Sequence, residues 1–200
     1  EGPFLYKRKM LQEFSIDAHV VENDTGLYMF YAKDNLNDTR IGTRVYVDKM
    51  LDPYTLKGEP VEVIRPTLDE EIFTKNRYGD GRDWHTVEGP FYFREGDYHY
   101  LMYSGGCYGN ESYHIGYAYA NDKESDLTKI KFKKRTDEIG FLPLLIKNGA
   151  EEGTGHNSLI KYNNKYYILY HGRDIELPGI HEDSRTARIC EFKVKNEALE

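Results

Sequence analysis

Three ionisable residues recur at near-regular spacing in this 200-residue chain: Asp17, Glu88 and His156, which stand 71 (88 − 17) and then 68 (156 − 88) residues apart. Each opens the same phrase, in which a titratable side chain precedes a short apolar stretch, a polar turn and a Tyr-rich stretch. The Tyr-rich stretches are Leu27-Tyr-Met-Phe-Tyr31, Tyr98-His-Tyr-Leu-Met-Tyr103 and Tyr166-Tyr-Ile-Leu-Tyr170. Two carboxyl groups and an imidazole brought to one place can trade protons with a polar substrate. Neighbouring carboxyls shift each other's pKa, and burial holds one of them neutral as an acid.

Glu88 sits in Trp84-His-Thr-Val-Glu-Gly-Pro-Phe91. The Gly-Pro that follows implies extended backbone and a strand start, with Val87, Pro90 and Phe91 as apolar surroundings that favour the protonated form. Asp17 lies between Ile16 and Ala18, an unusual place for a carboxylate unless it faces a polar channel. His156 is flanked by Gly153 and Gly155, which permit close backbone approach. Trp84, the single Trp, is a candidate ring for a polar ligand such as a sugar. A turn Glu, a strand-end Asp and a satisfied structural His are the plain alternatives, and the equivalence of the three positions argues against them.

Other chemistries find no support. There is no Gly-x-Ser-x-Gly, no His-Glu-x-x-His and no phosphate-cradling loop. Ser104-Gly-Gly-Cys-Tyr-Gly109 lacks the Lys-Ser/Thr of such a loop and reads as a loop near the site mouth. Cys107 and Cys190 have no metal-ligand spacing and read as a free pair, which leaves the compartment open. A net charge of −7 without a basic stripe argues against nucleic acid. No apolar stretch reaches membrane-spanning length, and Glu1-Gly-Pro reads as a processed or truncated start, so the missing signal peptide says nothing about secretion.

Positioning such residues falls to strands. Aromatics are 14% of the chain, with 18 Tyr and 9 Phe, and helical periodicity is weak throughout. Strands are expected over Ile16–Val21, Leu27–Ala32, Gly42–Val47 and Pro60–Ile64. A second set covers Phe91–Phe93, Tyr98–Ser104, Tyr113–Tyr119 and Lys131–Arg135, the last with one solvated face. A third covers Ser158–Lys161, Tyr166–His171 and Ala187–Val194. Thr67–Phe73 is the only short helical candidate. The linkers Lys75–Asp83 and Leu142–Gly155 are expected to cross the face. Four short strands per unit at this period predict an all-β propeller. Three blades do not close a ring, so further blades are expected from a missing N-terminal segment or a second chain.

The motifs resemble those of glycoside hydrolase family 43, five-bladed β-propeller enzymes acting on arabinose- and xylose-containing glycans. The likeness covers nearly the whole chain. Its anchors are Ile16-Asp-Ala-His-Val20, Val87-Glu-Gly-Pro-Phe91, Gly153-Thr-Gly-His-Asn-Ser158 and Tyr170-His-Gly-Arg173. The resemblance implies a partial domain over residues 1–200 supplying three to four of five blades, with the N-terminal blade absent. It implies Glu88 as general acid and Asp17 as the residue that orients the acid and tunes its pKa. Ala18 replaces the Pro often found after that Asp. It implies His156 on the axis, near a calcium ion reached through water, and Arg185 as a sugar contact with Arg188 as rival. The family's general base is an Asp upstream of the Asp17 position, and no Asp precedes Ile16 here. The implied function is inverting hydrolysis of an oligo- or polysaccharide. The alternatives are a non-catalytic carbohydrate-binding propeller, a fructosidase or a glycoside phosphorylase.

Overall fold

The structure is a computed structural model, and it describes residues 2–175 and 184–200. Those residues form no α-helix. They fold into β-strands and one 3-10 turn, Asp69–Glu71, which falls within the one predicted helical segment. The first blade consists of β1 (Ser15–Asn23), β2 (Gly26–Asn35) and β3 (Ile41–Asp52), edged by β4 (Thr55–Leu56) and β5 (Val61–Ile64). A short β6 (Ile72–Thr74) precedes the second blade: β7 (Trp84–Glu95), β8 (Tyr98–Gly105), β9 (His114–Asn121) and β10 (Lys133–Lys134). The third blade is β11 (Glu151–Tyr162), β12 (Lys165–Asp174) and β13 (Thr186–Phe192), followed by β14 (Val194–Lys195) and β15 (Ala198–Leu199).

Within each blade the long strands pair antiparallel in sequence order, as tight polar turns such as Glu95–Tyr98 dictate. The first two blades are stitched by one parallel contact, in which Ile41, Gly42 and Thr43 of β3 face Trp84, His85 and Thr86 of β7. Alternation along the strands then buries both faces of the second blade. Leu101, Tyr103 and Ala118 pack on Tyr28, Phe30, Val45 and Val47 of the first blade. From the opposite face, Tyr100, Met102, Ile115 and Tyr117 pack on Tyr166, Ile168 and Tyr170 of the third. This two-sided burial explains why the strands read as near-continuous apolar runs.

Two segments differ from the sequence expectation. Lys131–Arg135 was expected to be a strand with a solvated face, yet only Lys133 and Lys134 pair with β9. Lys134 takes an inward position of the alternation, where it meets the fully buried Glu71 and lies over the Tyr103 ring, 5.0 Å from its centroid. The linker 142–155 is shorter than expected, since β11 begins at Glu151 and carries Gly153 and Gly155 into the blade.

The parallel stitch constrains one residue sharply. Gly42 has φ +134°, and a Cβ there would lie 1.9 Å from the His85 carbonyl oxygen. Neither the backbone conformation nor the space admits a side chain. Gly42→Ala is expected to cost roughly 3 kcal/mol or more. For a domain of this size that lowers the thermal midpoint by roughly 6–12 °C, as calorimetry would show. A midpoint within 2 °C of the parent would contradict the stitch.

Candidate active site

The three blades meet at their first strands, and each first strand breaks its ladder at the meeting point. On β1 the register jumps between Ile16 and His19, on β7 between Glu88 and Phe91, and on β11 between Gly155 and Ser158. Two residues then oppose one, and the single residue is Tyr31, Tyr103 or Tyr170. The first bulged residue is left-handed in all three: Asp17 at φ 59°, Gly89 at φ 58° and His156 at φ 49°. Bulges of this kind re-aim side chains, and Asp tolerates the left-handed region better than most residues.

This registers the repeat differently from the sequence. Asp17 and His156 are equivalent to Gly89, not to Glu88; the acid stands one residue ahead of its bulge. It also lies five residues into β7 rather than at a strand start. The apolar neighbours of its carboxyl accordingly differ from those expected. Glu88 faces a cavity of about 420 Å³ with Phe14, Ile16, Phe73, Trp84 and Tyr108 as the apolar lining and Asp34, Thr43, Thr86 and Arg77 as the polar one.

The bulges lock to one another. The Gly89 amide donates to Asp17 Oδ2 at 3.0 Å. The His156 amide donates to Ser104 Oγ at 2.7 Å, and Ser104 is the residue that pairs with Glu88 across the β7–β8 hairpin. His156 Nδ1 stands 3.8 Å from Asp17 Oδ1. Asp17, Glu88 and His156 are thus gathered around one point by backbone hydrogen bonds that cross blades.

The Glu88 carboxyl accepts a hydrogen bond at Oε1 from the Tyr113 hydroxyl at 2.8 Å. Its pKa is pushed up to about 7, chiefly because burial penalises the charged form. Tyr113 opposes that rise by bonding the carboxylate; the charge of Asp17 adds to it, Arg185 subtracts, and Asp34 adds again. Tyr113 was not singled out from sequence. The signal was Gly155, where a Cβ would fall 1.9 Å from the Tyr113 ring. The glycine of the third blade makes room for the phenol that holds the acid of the second.

Arg185 lies with its guanidinium 5.1 Å from the Tyr108 ring centroid and 3.4 Å from His171 Nε2. His171 stacks on Tyr113, and its pKa is lowered to about 4 by burial and then by the Arg185 charge. Arg188, the rival, points elsewhere and pairs with Asp174 at 2.6 Å and Glu151 at 3.4 Å. Trp84 lines the cavity but is 4% exposed, with the Arg77 guanidinium 4.5 Å over its ring. It forms a wall and offers no open face for stacking.

Calcium at His156 does not fit the donors in place. Calcium takes six to eight oxygens. Asp17 is the one carboxylate paired with His156, and no group of three or more His, Cys, Asp or Glu arranged for a metal occurs among the described residues.

Comparison with known proteins agrees with the motifs. The profile of glycosyl hydrolases family 43 matches residues 1–198. An extracellular exo-α-(1→5)-L-arabinofuranosidase of Streptomyces avermitilis is 26% identical over 189 residues, 90% of this chain and 35% of that protein. A β-D-galactofuranosidase of Aspergillus niger is 26% identical over 162 residues, 80% of this chain and 37% of that protein. Among solved structures, a thermostable family-43 glycoside hydrolase superposes with a TM-score of 0.70 at 29% identity, covering 93% of this chain and 57% of that one. An α-L-arabinofuranosidase from Lactobacillus brevis superposes at 0.74 with 25% identity, covering 92% and 54%. The chain therefore spans about a third of the curated relatives and little more than half of these solved structures, as a partial five-bladed propeller does.

The raised pKa gives two linked expectations. A carboxyl-resolved NMR titration should find Glu88 near 7, lower in Asp17→Asn, where a like charge is lost, and higher in Tyr113→Phe, where a bond to the carboxylate is lost. A Glu88 titrating near 4.5 in all three proteins would contradict the assignment. Folded Glu88 holds its proton more tightly than the unfolded side chain, about 7 against 4.5. Its contribution to stability is therefore intact below pH 4.5 and falls as pH rises through 7, by about 3 kcal/mol. Glu88→Gln should accordingly stabilise the fold relative to the parent at pH 8.5 and much less at pH 5, as paired denaturant titrations would show.

Proposed function

Because the chain belongs to glycosyl hydrolases family 43, we propose that it carries the acid side of an inverting glycosidase site acting on arabinose- or xylose-containing glycans. Glu88, protonated near neutral pH, donates to the glycosidic oxygen as the bond from the anomeric carbon to that oxygen breaks. A water attacks the same carbon from the opposite face and gives its proton to a carboxylate. That carboxylate is assigned to no residue of this chain. Inversion places the two carboxyls roughly 6.5–9.5 Å apart, which leaves room for the water. Asp17 fixes the bulge beside the acid and raises its pKa. His156 and Arg185 are read as sugar contacts at the axis, and Trp84 as part of the wall. The substrate is an oligo- or polysaccharide, in keeping with the arabinofuranosidase names of two relatives.

The observation that carries this reading is the half-buried Glu88 carboxyl, held by Tyr113 beside the Asp17 charge in an open-mouthed cavity. A group with a pKa near the working pH is what general acid catalysis requires. In the full-length polypeptide, Glu88→Gln should lower kcat on nitrophenyl α-L-arabinofuranosides or β-D-xylosides by about 10²–10⁴. The loss should be smaller for dinitrophenyl leaving groups, which need less protonation. Calorimetric affinity for the oligosaccharide should change only a few-fold. If the parent cleaves no glycoside and the substitution alters affinity alone, the protein is a carbohydrate-binding propeller without catalysis. The first-formed anomer, followed by proton NMR, should be the inverted one.

A further inference from the structure

A second carboxylate lines the Glu88 cavity, and the proposed proton transfers do not use it. Asp34 stands near the end of β2, paired in register with Thr43 of β3. Thr43 in turn pairs with Thr86 of β7, two residues before Glu88. Residues two apart on a strand share a face, so Asp34, Thr43, Thr86 and Glu88 form one polar row across the joined sheets. All four line the same cavity. Thr43 and Thr86 are buried, while Asp34 is half-buried. Its Oδ1 accepts the Thr43 hydroxyl at 3.0 Å, and no other hydrogen bond to the carboxylate occurs among the described residues.

The position of Asp34 relative to the axis defines its partner. The axis is marked by the bulges of β1, β7 and β11, which carry Asp17, Gly89 and His156. Asp34 is on the second strand of its blade, about two strand spacings, or ~10 Å, across the sheet from Thr86. It stands outward from the point where bond cleavage is proposed. Arg77 covers the Trp84 ring on the same wall, and its charge acts on Asp34. Phe73 and Tyr108, which also line the cavity, pack ring to ring, 5.8 Å between centroids. An oxygen acceptor, a guanidinium donor and aromatic walls suit a sugar ring with several hydroxyls, since a carboxylate accepts from two hydroxyls at once.

We propose that Asp34, supported by Thr43 and facing Arg77, binds the hydroxyls of the sugar on the leaving-group side of the scissile bond, so that the site selects an oligosaccharide over a glycoside with a non-sugar leaving group. This rests on the glycosidase reading of Glu88. Asp34 is a binding residue here: it stabilises the substrate in ground and transition states alike and moves no proton. Loss of a hydrogen bond to a charged acceptor amounts to roughly 10–100-fold in affinity.

The test compares two substrates with the same reacting sugar, one an arabino- or xylo-oligosaccharide and the other its nitrophenyl glycoside. The full-length polypeptide, Asp34→Asn and Asp34→Ala are assayed on both. The expected result is a fall of about tenfold or more in the ratio of kcat/KM for the oligosaccharide to kcat/KM for the aryl glycoside, carried mainly by KM. A general folding defect cancels in that ratio. A ratio within twofold of the parent overturns the proposal. So does an equal loss on both substrates, which would place Asp34 at the reaction centre. A parent that cleaves neither substrate defeats the glycosidase reading itself, and the aryl substrate reports that failure separately.

Discussion

One hydrogen bond organises the site: the Gly89 amide to the Asp17 carboxylate, from the second blade to the first. It exists because both residues are bulged and left-handed. A regular β7 would present that amide to β8, and a regular β1 would aim Asp17 at its own sheet face. A left-handed non-glycine residue costs about 1–2 kcal/mol, and an orphaned amide in a closed centre costs about 1–3 kcal/mol. The bond offsets both at once. It also places a negative charge beside the acid one residue upstream. The same side chain therefore holds the backbone and shifts the titration, and neither effect can be altered alone by moving Asp17.

The bulges also explain what was legible in the sequence. The three repeats, the strand pairs and the Glu-Gly-Pro segment were all readable, because alternation, tight turns and Tyr-rich runs follow from two-residue periodicity. The register of the repeat was not. Asp17 and His156 adopt a backbone conformation that usually announces itself with glycine, and only Gly89 does so. Residue type alone therefore matches acid with acid and hides the one-residue offset. The tyrosines opposite the bulges, Tyr31, Tyr103 and Tyr170, would have given the right frame, since each follows the same run of three or four apolar or aromatic residues.

Contacts between blades were hidden for a different reason. Tyr113 read as the first residue of a strand, and its hydroxyl reaches Glu88 only because Gly155, 42 positions further on, has no side chain. Nothing local to either residue shows this. Lys134 is comparable: its segment carries the alternation of a surface strand, and a carboxylate 63 residues away, Glu71, draws it inward. Trp84 was legible as an aromatic near the acid, but Arg77, which covers it, lay in a stretch that read only as linker. Long-range pairing decides these cases, and single-sequence periodicity does not contain it.

The tuning of Glu88 follows a hierarchy that these contacts make intelligible. Charges of both signs surround it: Asp17 and Asp34 on the first blade, Arg185 ahead of the last strand of the third. Their effects on the carboxyl oppose one another, and burial is the largest cause of its displacement. The acid therefore depends first on packing, which is supplied by Ile16 of β1, the wall at Phe73 and Trp84, and the loop at Tyr108. These come from separate stretches of chain, so an intact interface between blades is a condition for an acid that is protonated near neutrality. Loosening that interface would admit water and weaken the largest cause that holds the Glu88 pKa up, even with every titratable residue still present. In this architecture the apolar contacts between blades govern the protonation of Glu88, and the polar residues around it adjust the value.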